Sequence, residues 1–167
     1  MKQFRGSFPV IVTPFRASDS AFDEDAMRRF VDWQIEQGCH GLVTLGSMGE
    51  FYLVSDEERT RIVTTVVEQV AGRVPLLVGT MNIRNETAVR YSREAEELGA
   101  DGLMITPPYY TAPTDDEIFD YYRDICEEVS IPVMLYNNPF TTNVDMSAAL
   151  VGRLTRELEN VRYIKEA

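Results

Sequence analysis

Lys165 is a side chain of this sequence whose type and position could support covalent chemistry. It follows Tyr163 and Ile164 at the end of a short apolar run, and apolar surroundings lower the pKa of a lysine because they disfavour its ammonium form. A neutral amine can attack a ketone to form a Schiff base, and the resulting iminium is an electron sink for making or breaking carbon–carbon bonds. The plainer interpretation is an exposed lysine.

Two further features supply groups that such a reaction needs. Tyr136 closes another apolar run, and its phenol could pass protons to and from a bound carbonyl; a core tyrosine is the alternative. The loop Gly46-Ser-Met-Gly-Glu50 has two glycines three residues apart, which lets backbone N–H groups turn toward an anion, and Ser47 adds a hydroxyl. A small carboxylate such as that of pyruvate would suit this loop, and a tight turn without a ligand is the alternative.

Other kinds of chemistry find little support. Pro107-Pro-Tyr-Tyr110 is a stiff segment whose aromatics could serve an active site, a subunit contact or simple packing. The chain has one histidine, which excludes the two-His zinc motifs, and it lacks the dinucleotide, Walker and nucleophile-elbow motifs. Cys39 and His40 are adjacent, so on a strand they would point to opposite faces and form no nucleophile pair.

Short apolar runs recur every 27 to 34 residues and predict the strands that position these groups. They are mostly continuous rather than alternating, as in strands that are covered on both faces. The runs span residues 8–13, 41–45, 75–79, 102–106, 131–136 and 161–165.

Helical patterns separate the runs. Apolar residues recur at helical spacing in five intervening stretches, and capping boxes open two of them, at Ser55 to Glu58 and Thr114 to Glu117. The stripes are Met27, Phe30, Val31 and Ile35; Ile62, Val63, Val66, Val67 and Val70; Ala88, Tyr91, Ala95 and Leu98; Ile118, Tyr122, Ile125 and Val129; and Leu150, Leu154 and Leu158. Gly38 and Gly99 stand where a left-handed residue would end a helix.

The order is therefore five βα units and a sixth strand, which predicts an α/β fold with parallel strands and right-handed crossovers. A doubly wound open parallel sheet would be complete at 167 residues. A (β/α)8 barrel needs about 250 residues and would be unfinished. In both architectures the functional groups gather at the carboxyl ends of the strands.

Composition and charge indicate which classes of binding partner the chain is not expected to have. With 44% hydrophobic residues, 26% charged residues and a net charge of −11, the chain is typical of a folded domain, and clustered cations for nucleic acid or an anionic membrane are not expected. No apolar run approaches a membrane span and no signal peptide is evident. Much of the acid lies in the first turns of helices, where the dipole favours it. Two isolated cysteines suggest a reducing, cytoplasmic compartment.

Four segments, taken together, resemble the dihydrodipicolinate synthase / N-acetylneuraminate lyase family of class I Schiff-base aldolases. They are residues 46–50, 106–110, 135–139 and 164–167, which match the family's signatures in order and spacing. The resemblance implies a (β/α)8 barrel, of which residues 1–167 supply the first five βα units and strand 6. We therefore expect a chain that is truncated just after its Schiff-base lysine.

The resemblance also implies roles. Lys165 is the Schiff-base lysine, and Tyr136 transfers protons with help from Ser47 and from Tyr110, which family dimers lend across the subunit interface. Gly46, Ser47 and Met48 would bind the carboxylate of the keto acid, and Thr141 is a fourth expected substrate-binding residue. The usual assembly is a homotetramer built as a dimer of dimers, and no metal or organic cofactor is required.

Two departures from the family pattern bear on the substrate. Met48 replaces a threonine of many synthases, and Thr141 stands where the biosynthetic enzymes place an arginine that holds the aldehyde partner's carboxylate. Arg84 could substitute, although it is more simply a surface arginine. We therefore expect a lyase acting on pyruvate or another 2-oxo acid and not strict for aspartate semialdehyde. Alternatives are a 2-keto-3-deoxy sugar-acid dehydratase or aldolase, a cyclic-imine deaminase, and a non-catalytic ligand-binding paralogue.

Overall fold

The computed structural model describes residues 3–167, which form two compact α/β units. The N-terminal unit comprises the residues up to Gly79 together with Glu97–Asp101, and the C-terminal unit comprises Thr80–Glu96 and Gly102–Ala167. Each unit alternates strands with helices, as the sequence predicts.

The N-terminal unit contains helix α1 (Glu24–Glu36), strand β1 (Leu42–Thr44), helix α2 (Asp56–Val70) and strand β2 (Leu76–Gly79). The strands β1 and β2 are parallel, and α1 packs on α2. The prediction of a strand at residues 8–13 is wrong. Within this stretch only Val10 forms a parallel bridge, which pairs it with Val43. Proline at position 9 has no N–H to donate to a ladder, and the hydrogen bonds to Val43 come from the Pro9 carbonyl, as acceptor, and the Ile11 N–H, as donor.

The C-terminal unit holds most of helix α3 (Asn85–Leu98), then β3 (Gly102–Ile105), α4 (Asp115–Glu128), β4 (Val133–Asn137), α5 (Pro139–Thr142), α6 (Ala148–Glu157) and β5 (Val161–Glu166). Its three strands are parallel and pair in chain order. The register places Tyr136 beside Lys165 and Asn137 beside Glu166. This pairing fixes the candidate site.

Local signals in the sequence are confirmed in both units. Both capping boxes form, with the hydroxyls of Ser55 and Thr114 accepting from the N–H of Glu58 and Glu117. Gly38 and Gly99 have φ values of 84° and 105°, the left-handed conformation expected after a helix. The strands β1, β2 and β3 are buried along their whole length, whereas β5 is buried only at Val161 and then alternates between exposed and partly exposed positions.

Between residues 3 and 167, no helix combines the length and the apolar character needed to cross a membrane.

Candidate active site

Lys165 and Tyr136 lie against each other at the ends of β5 and β4. The Nζ atom of Lys165 is 3.7 Å from the centroid of the Tyr136 ring. Tyr136 is buried, with 5% of its surface exposed, and Lys165 is half-buried. A primary amine therefore lies against the ring face of a phenol at the carboxyl ends of two parallel strands, where α/β folds place their reactive groups.

The contact follows from strand register. Tyr136 and Lys165 are partners in the ladder, and partners in a parallel pair project to the same side. The ladder continues past them, since the N–H of Ala167 donates to the carbonyl of Asn137 at 3.1 Å. The side of the strand pair that carries Tyr136 and Lys165, with Asn138, is called the amine side below.

The opposite side of the same strand pair is saturated with hydrogen bonds. The side-chain amide of Asn137 donates to Asp145 and to Glu166, each at 3.1 Å, and its carbonyl oxygen accepts from the N–H of Met146 at 3.0 Å. Asn137, Asp145 and Glu166 are called the carboxylate side. The carboxylate nearest to Lys165 along the chain is therefore engaged elsewhere, and no ion pair to Lys165 occurs within residues 3–167.

Two polar groups of the C-terminal unit were not given roles by the sequence analysis. Asn138 donates from Nδ2 to the Tyr136 hydroxyl at 2.9 Å, and both residues are buried. Thr106 is 5% exposed, and its Oγ1 has no hydrogen-bond partner among the described residues. The register of β3 with β4 pairs Ile105 with Leu135, so Thr106 is next in line with Tyr136. The sequence signal for Asn138 is its two-residue spacing from Tyr136, and that for Thr106 is its place at the end of the neighbouring strand.

The loop after β1 forms a 3₁₀ turn at Ser47–Gly49 in the N-terminal unit. Leu45 enters it with a φ of 54°, an uncommon conformation for leucine, and Glu50 leaves it with a φ of 52°. Thr13 anchors the turn by donating to the Gly49 carbonyl at 2.6 Å.

The surface of this turn matches some of the demands of an anion site. Its hydrogen bonds use the N–H groups of Gly49 and Glu50, so those of Ser47 and Met48 are not consumed by the turn. Gly46 is buried, and Ser47 is exposed. The thioether side chain of Met48 is 63% exposed.

The remaining predicted site residues are on the surface. Tyr110 is 87% exposed, whereas burial raises the pKa of the neighbouring Tyr109. Thr141 is an exposed residue of α5, where its hydroxyl lies 3.4 Å from the Asn138 carbonyl. Arg84 pairs with Glu86 and is 73% exposed, as expected for a surface arginine.

Residues 3–167 offer no cluster of side chains suited to hold a metal ion. Both cysteines are free, and burial raises the pKa of each thiol, that of Cys126 to about 12. Cys39 and His40 precede β1 rather than lying on it, and His40 Nδ1 accepts from the Ser7 N–H at 3.2 Å. An activated thiol is therefore not present in this part of the chain.

Curated relatives share this sequence over nearly its whole length. A 4-hydroxy-tetrahydrodipicolinate synthase of Methylobacterium radiotolerans is 40% identical over 99% of this chain and 54% of its own length. A 4-hydroxy-tetrahydrodipicolinate synthase of Pelobacter propionicus is 42% identical over 98% of this chain and 56% of its own. The chain thus spans about half the length of the curated relatives that it matches.

Solved structures of the same family have a similar fold over nearly the whole chain. A prophage protein of the dihydrodipicolinic acid synthase family from E. coli K12, in complex with pyruvate, superposes with a TM-score of 0.95 at 34% identity, over 99% of this chain and 55% of that one. A chloride-inhibited dihydrodipicolinate synthase from Acinetobacter baumannii, complexed with pyruvate, gives a TM-score of 0.95 at 34% identity, over 99% and 56%.

These matches confirm the predicted α/β fold as the N-terminal portion of a (β/α)8 barrel, in preference to the doubly wound open sheet. The profile of the Dihydrodipicolinate synthetase family matches residues 3–167. With the fold, the four signature segments and the profile in agreement, this chain belongs to the dihydrodipicolinate synthetase family.

Proposed function

We propose that this chain carries the Schiff-base half-site of a lyase that acts on pyruvate or another 2-oxo acid. The observation that carries the proposal is the 3.7 Å contact between the Lys165 amine and the Tyr136 ring. An amine that is not held by a carboxylate can act as a nucleophile, and a neighbouring phenol can supply and remove protons. Membership of the dihydrodipicolinate synthetase family supports this chemistry.

The proposed steps begin with attack of Lys165 Nζ on the C2 carbonyl carbon. Tyr136 delivers a proton to the carbonyl oxygen, and loss of water from the carbinolamine gives an iminium. Removal of a proton from C3 then yields an enamine, whose electron pair forms the new bond to an electrophile. Hydrolysis of the final iminium returns the free lysine. Ser47 and Tyr110 are proposed to assist the proton transfers, and no metal or organic cofactor takes part.

The substrate carboxylate is proposed to bind the turn that contains Gly46, Ser47 and Met48. Backbone N–H groups offer partial positive charge, which a chain with a net charge of −11 needs in order to hold an anion. Two structurally similar family members are described as pyruvate complexes, which supports a 2-oxo acid as the ligand.

The second substrate is proposed not to be aspartate semialdehyde alone. Thr141 is an exposed hydroxyl, and a hydroxyl does not replace the bidentate contact of a guanidinium with a carboxylate. This observation favours a second candidate function within the same chemistry. It is a dehydratase or aldolase for 2-keto-3-deoxy sugar acids, or a deaminase for cyclic imines.

The oligomeric state and the cellular compartment are proposed from the exposure of Tyr110 and from the two free cysteines. A tyrosine that is 87% exposed, as Tyr110 is, suits a subunit contact in a homotetramer built as a dimer of dimers. Two free, partly buried cysteines suit a reducing cytoplasm.

Reductive trapping tests the proposal. The full-length protein is incubated with pyruvate, reduced with borohydride and digested, and the modified peptide is identified by mass spectrometry. Within residues 1–167 the candidates are Lys2 and Lys165, and the mass of the modified peptide shows whether either of them carries the adduct. We expect the adduct on Lys165 in the wild type and in Lys2→Arg, and its loss in Lys165→Arg, which keeps the positive charge.

An adduct absent from Lys165 in the wild type would refute the Schiff-base chemistry and favour the ligand-binding paralogue, which should bind pyruvate without covalent capture. With the adduct established, turnover of 2-keto-3-deoxy acids, cyclic imines and aspartate semialdehyde identifies the second substrate. Strict use of aspartate semialdehyde would refute the specificity inferred from Thr141.

A further inference from the structure

Asn138 makes a hydrogen bond that bears directly on what Tyr136 can do. Its Nδ2 atom donates to the Tyr136 hydroxyl oxygen at 2.9 Å. The two residues are 8% and 5% exposed, so water does not compete freely for this bond. The oxygen that would give and take protons in the proposed mechanism is therefore held by a neutral donor.

The direction of this bond has a consequence for the phenol proton. An amide N–H can only donate, so Tyr136 uses a lone pair toward Asn138 and keeps its own O–H for another acceptor. When the phenol gives up that proton, the same N–H continues to donate to the phenolate. Hydrogen bonds to a charged oxygen are stronger than those to a neutral one, which favours the ionised form.

The backbone around Asn138 fixes the geometry. Its carbonyl oxygen accepts from the N–H groups of Thr141 and Thr142 and from the Thr142 hydroxyl, at 3.1, 3.0 and 2.9 Å. Thr142 is itself buried, with 3% of its surface exposed. The short helix α5 thus locks the residue that holds the phenol, and two-residue spacing puts the amide on the side of Tyr136.

The neighbouring asparagine provides a contrast within the same strand end. Asn137 is also buried, but its amide bonds to Asp145 and Glu166 on the carboxylate side. The hydrogen bonds of Asn137 are therefore structural, because they join β4 to β5 and to the segment at Asp145 and Met146. Asn138 directs its donor to a group that can titrate.

We propose that Asn138 is a positioning residue for proton transfer by Tyr136: its Nδ2–H orients the phenol and stabilises the phenolate that forms when the proton leaves. This inference rests on the proposed Schiff-base function and adds a residue for which the sequence analysis gave no role. It also gives a reason for an amide, rather than an apolar side chain, beside the tyrosine.

The test measures exchange of the pyruvate C3 hydrogens with deuterated water by NMR, in the full-length protein, alongside borohydride trapping. Asn138→Asp keeps the size of the side chain but removes the donor when ionised, and Asn138→Leu removes all polarity. We expect both variants to retain trapping and to lose exchange rate by about ten- to a hundredfold, the range for a hydrogen bond to a charged group. The alkaline limb of the pH–rate profile should move to higher pH in Asn138→Leu.

Two comparisons separate positioning from simple support of the fold. Asn138→His offers a ring N–H near the original donor and should recover part of the exchange rate lost in Asn138→Leu. Asn137→Leu should lower stability without moving the alkaline limb. If the Asn138 variants fail to fold, the wild type with labelled asparagine provides the measurement: the Asn138 amide proton signals should shift over the pH range of the alkaline limb.

The outcomes are distinguishable. Trapping on Lys165 with exchange rates and pH profiles that are unchanged in the Asn138 variants would overturn this inference alone. Asn138 amide proton signals that do not shift over the pH range of the alkaline limb would also overturn it. Absence of any adduct in the wild type would overturn the proposed function, and this inference with it.

Discussion

The two sides of the β4–β5 strand pair differ in how their polar groups are satisfied. On the carboxylate side, Asn137 bonds to two carboxylates and a backbone N–H. On the amine side, Lys165 lies over the ring of Tyr136, and the Tyr136 hydroxyl accepts from the side-chain amide of Asn138. An amide bonded to two carboxylates and an amine packed on a ring therefore lie on opposite sides of the same strand ends.

This difference shows how one strand pair can serve two purposes. Successive residues alternate sides, so Asn137 and Glu166 can tie β4 to β5 while Tyr136 and Lys165, the residues of the proposed chemistry, project to the other side. Had Glu166 and Lys165 projected to one side, an ion pair would have occupied the amine. We expect changes on the amine side to alter activity more than stability, and changes on the carboxylate side to do the reverse.

The largest effect is expected from Tyr136→Phe. Phenylalanine keeps the ring under Lys165 but removes the hydroxyl, so trapping by borohydride should persist while the C3 exchange rate falls about 10²- to 10⁴-fold, the range for loss of general acid–base catalysis. The free energy of unfolding should fall by about 1 kcal/mol, because the buried hydrogen bond from Asn138 is lost. Exchange kinetics and urea denaturation measure the two quantities.

Tyr122→Phe is the matched control for that change. The Tyr122 hydroxyl is buried and donates to the Ile105 carbonyl at 2.8 Å, so the same atom is removed from a structural hydrogen bond. Stability should fall by a similar amount, with exchange unaltered. Equal exchange rates in both variants would show that Tyr136 is only a core residue.

A smaller effect, of the opposite kind, is expected from Asn137→Leu. The substitution leaves the buried N–H of Met146 without its acceptor and deprives two carboxylates of their donor. We expect a loss of about 2–3 kcal/mol in the free energy of unfolding, measured by urea denaturation. The yield of borohydride adduct per folded molecule should be unchanged, and a proportional loss of both would contradict the separation of the two sides.

The sequence predicted the elements well where the signals are local. Helix caps such as Ser55 and Thr114 depend on residues three positions apart, and both capping boxes form. The placement of Tyr136 next to Lys165 followed from the order of the βα units, since consecutive parallel strands are neighbours in a barrel. Those inferences needed only spacing and chain order.

Other features depend on tertiary register and were not predictable from spacing. The sequence did not reveal that residues 8–13 make only one bridge, or that Asn138, rather than Asn137, holds the Tyr136 hydroxyl. The short helix α5 was also missed, because four residues opened by a proline give no periodic signal. The positive φ of Leu45 was not predictable either, because leucine rarely adopts the left-handed conformation.

The smallest expected effect lies away from both sides, in the cap of α4. Hydrogen bonds from the backbone N–H and the hydroxyl of Thr114 lower the pKa of Glu117 below its ordinary value of 4.5. Thr114→Ala should cost about 1 kcal/mol at neutral pH, the usual loss for an N-cap. Because the folded-state pKa is depressed, the contribution of Glu117 is present above pH 4.5 and is lost as the pH falls through the lowered value.

Glu117→Gln separates the cap from its titration. A glutamine can still accept from Thr114 but does not ionise, so the acid-dependent part of the stability should disappear while the cap remains, as urea denaturation at neutral and acid pH would measure. Neither variant should alter trapping or exchange, because neither touches the strand ends. A change in exchange with an intact fold would mean that activity responds to stability anywhere in the unit, and the two sides of β4 and β5 would then not be functionally distinct.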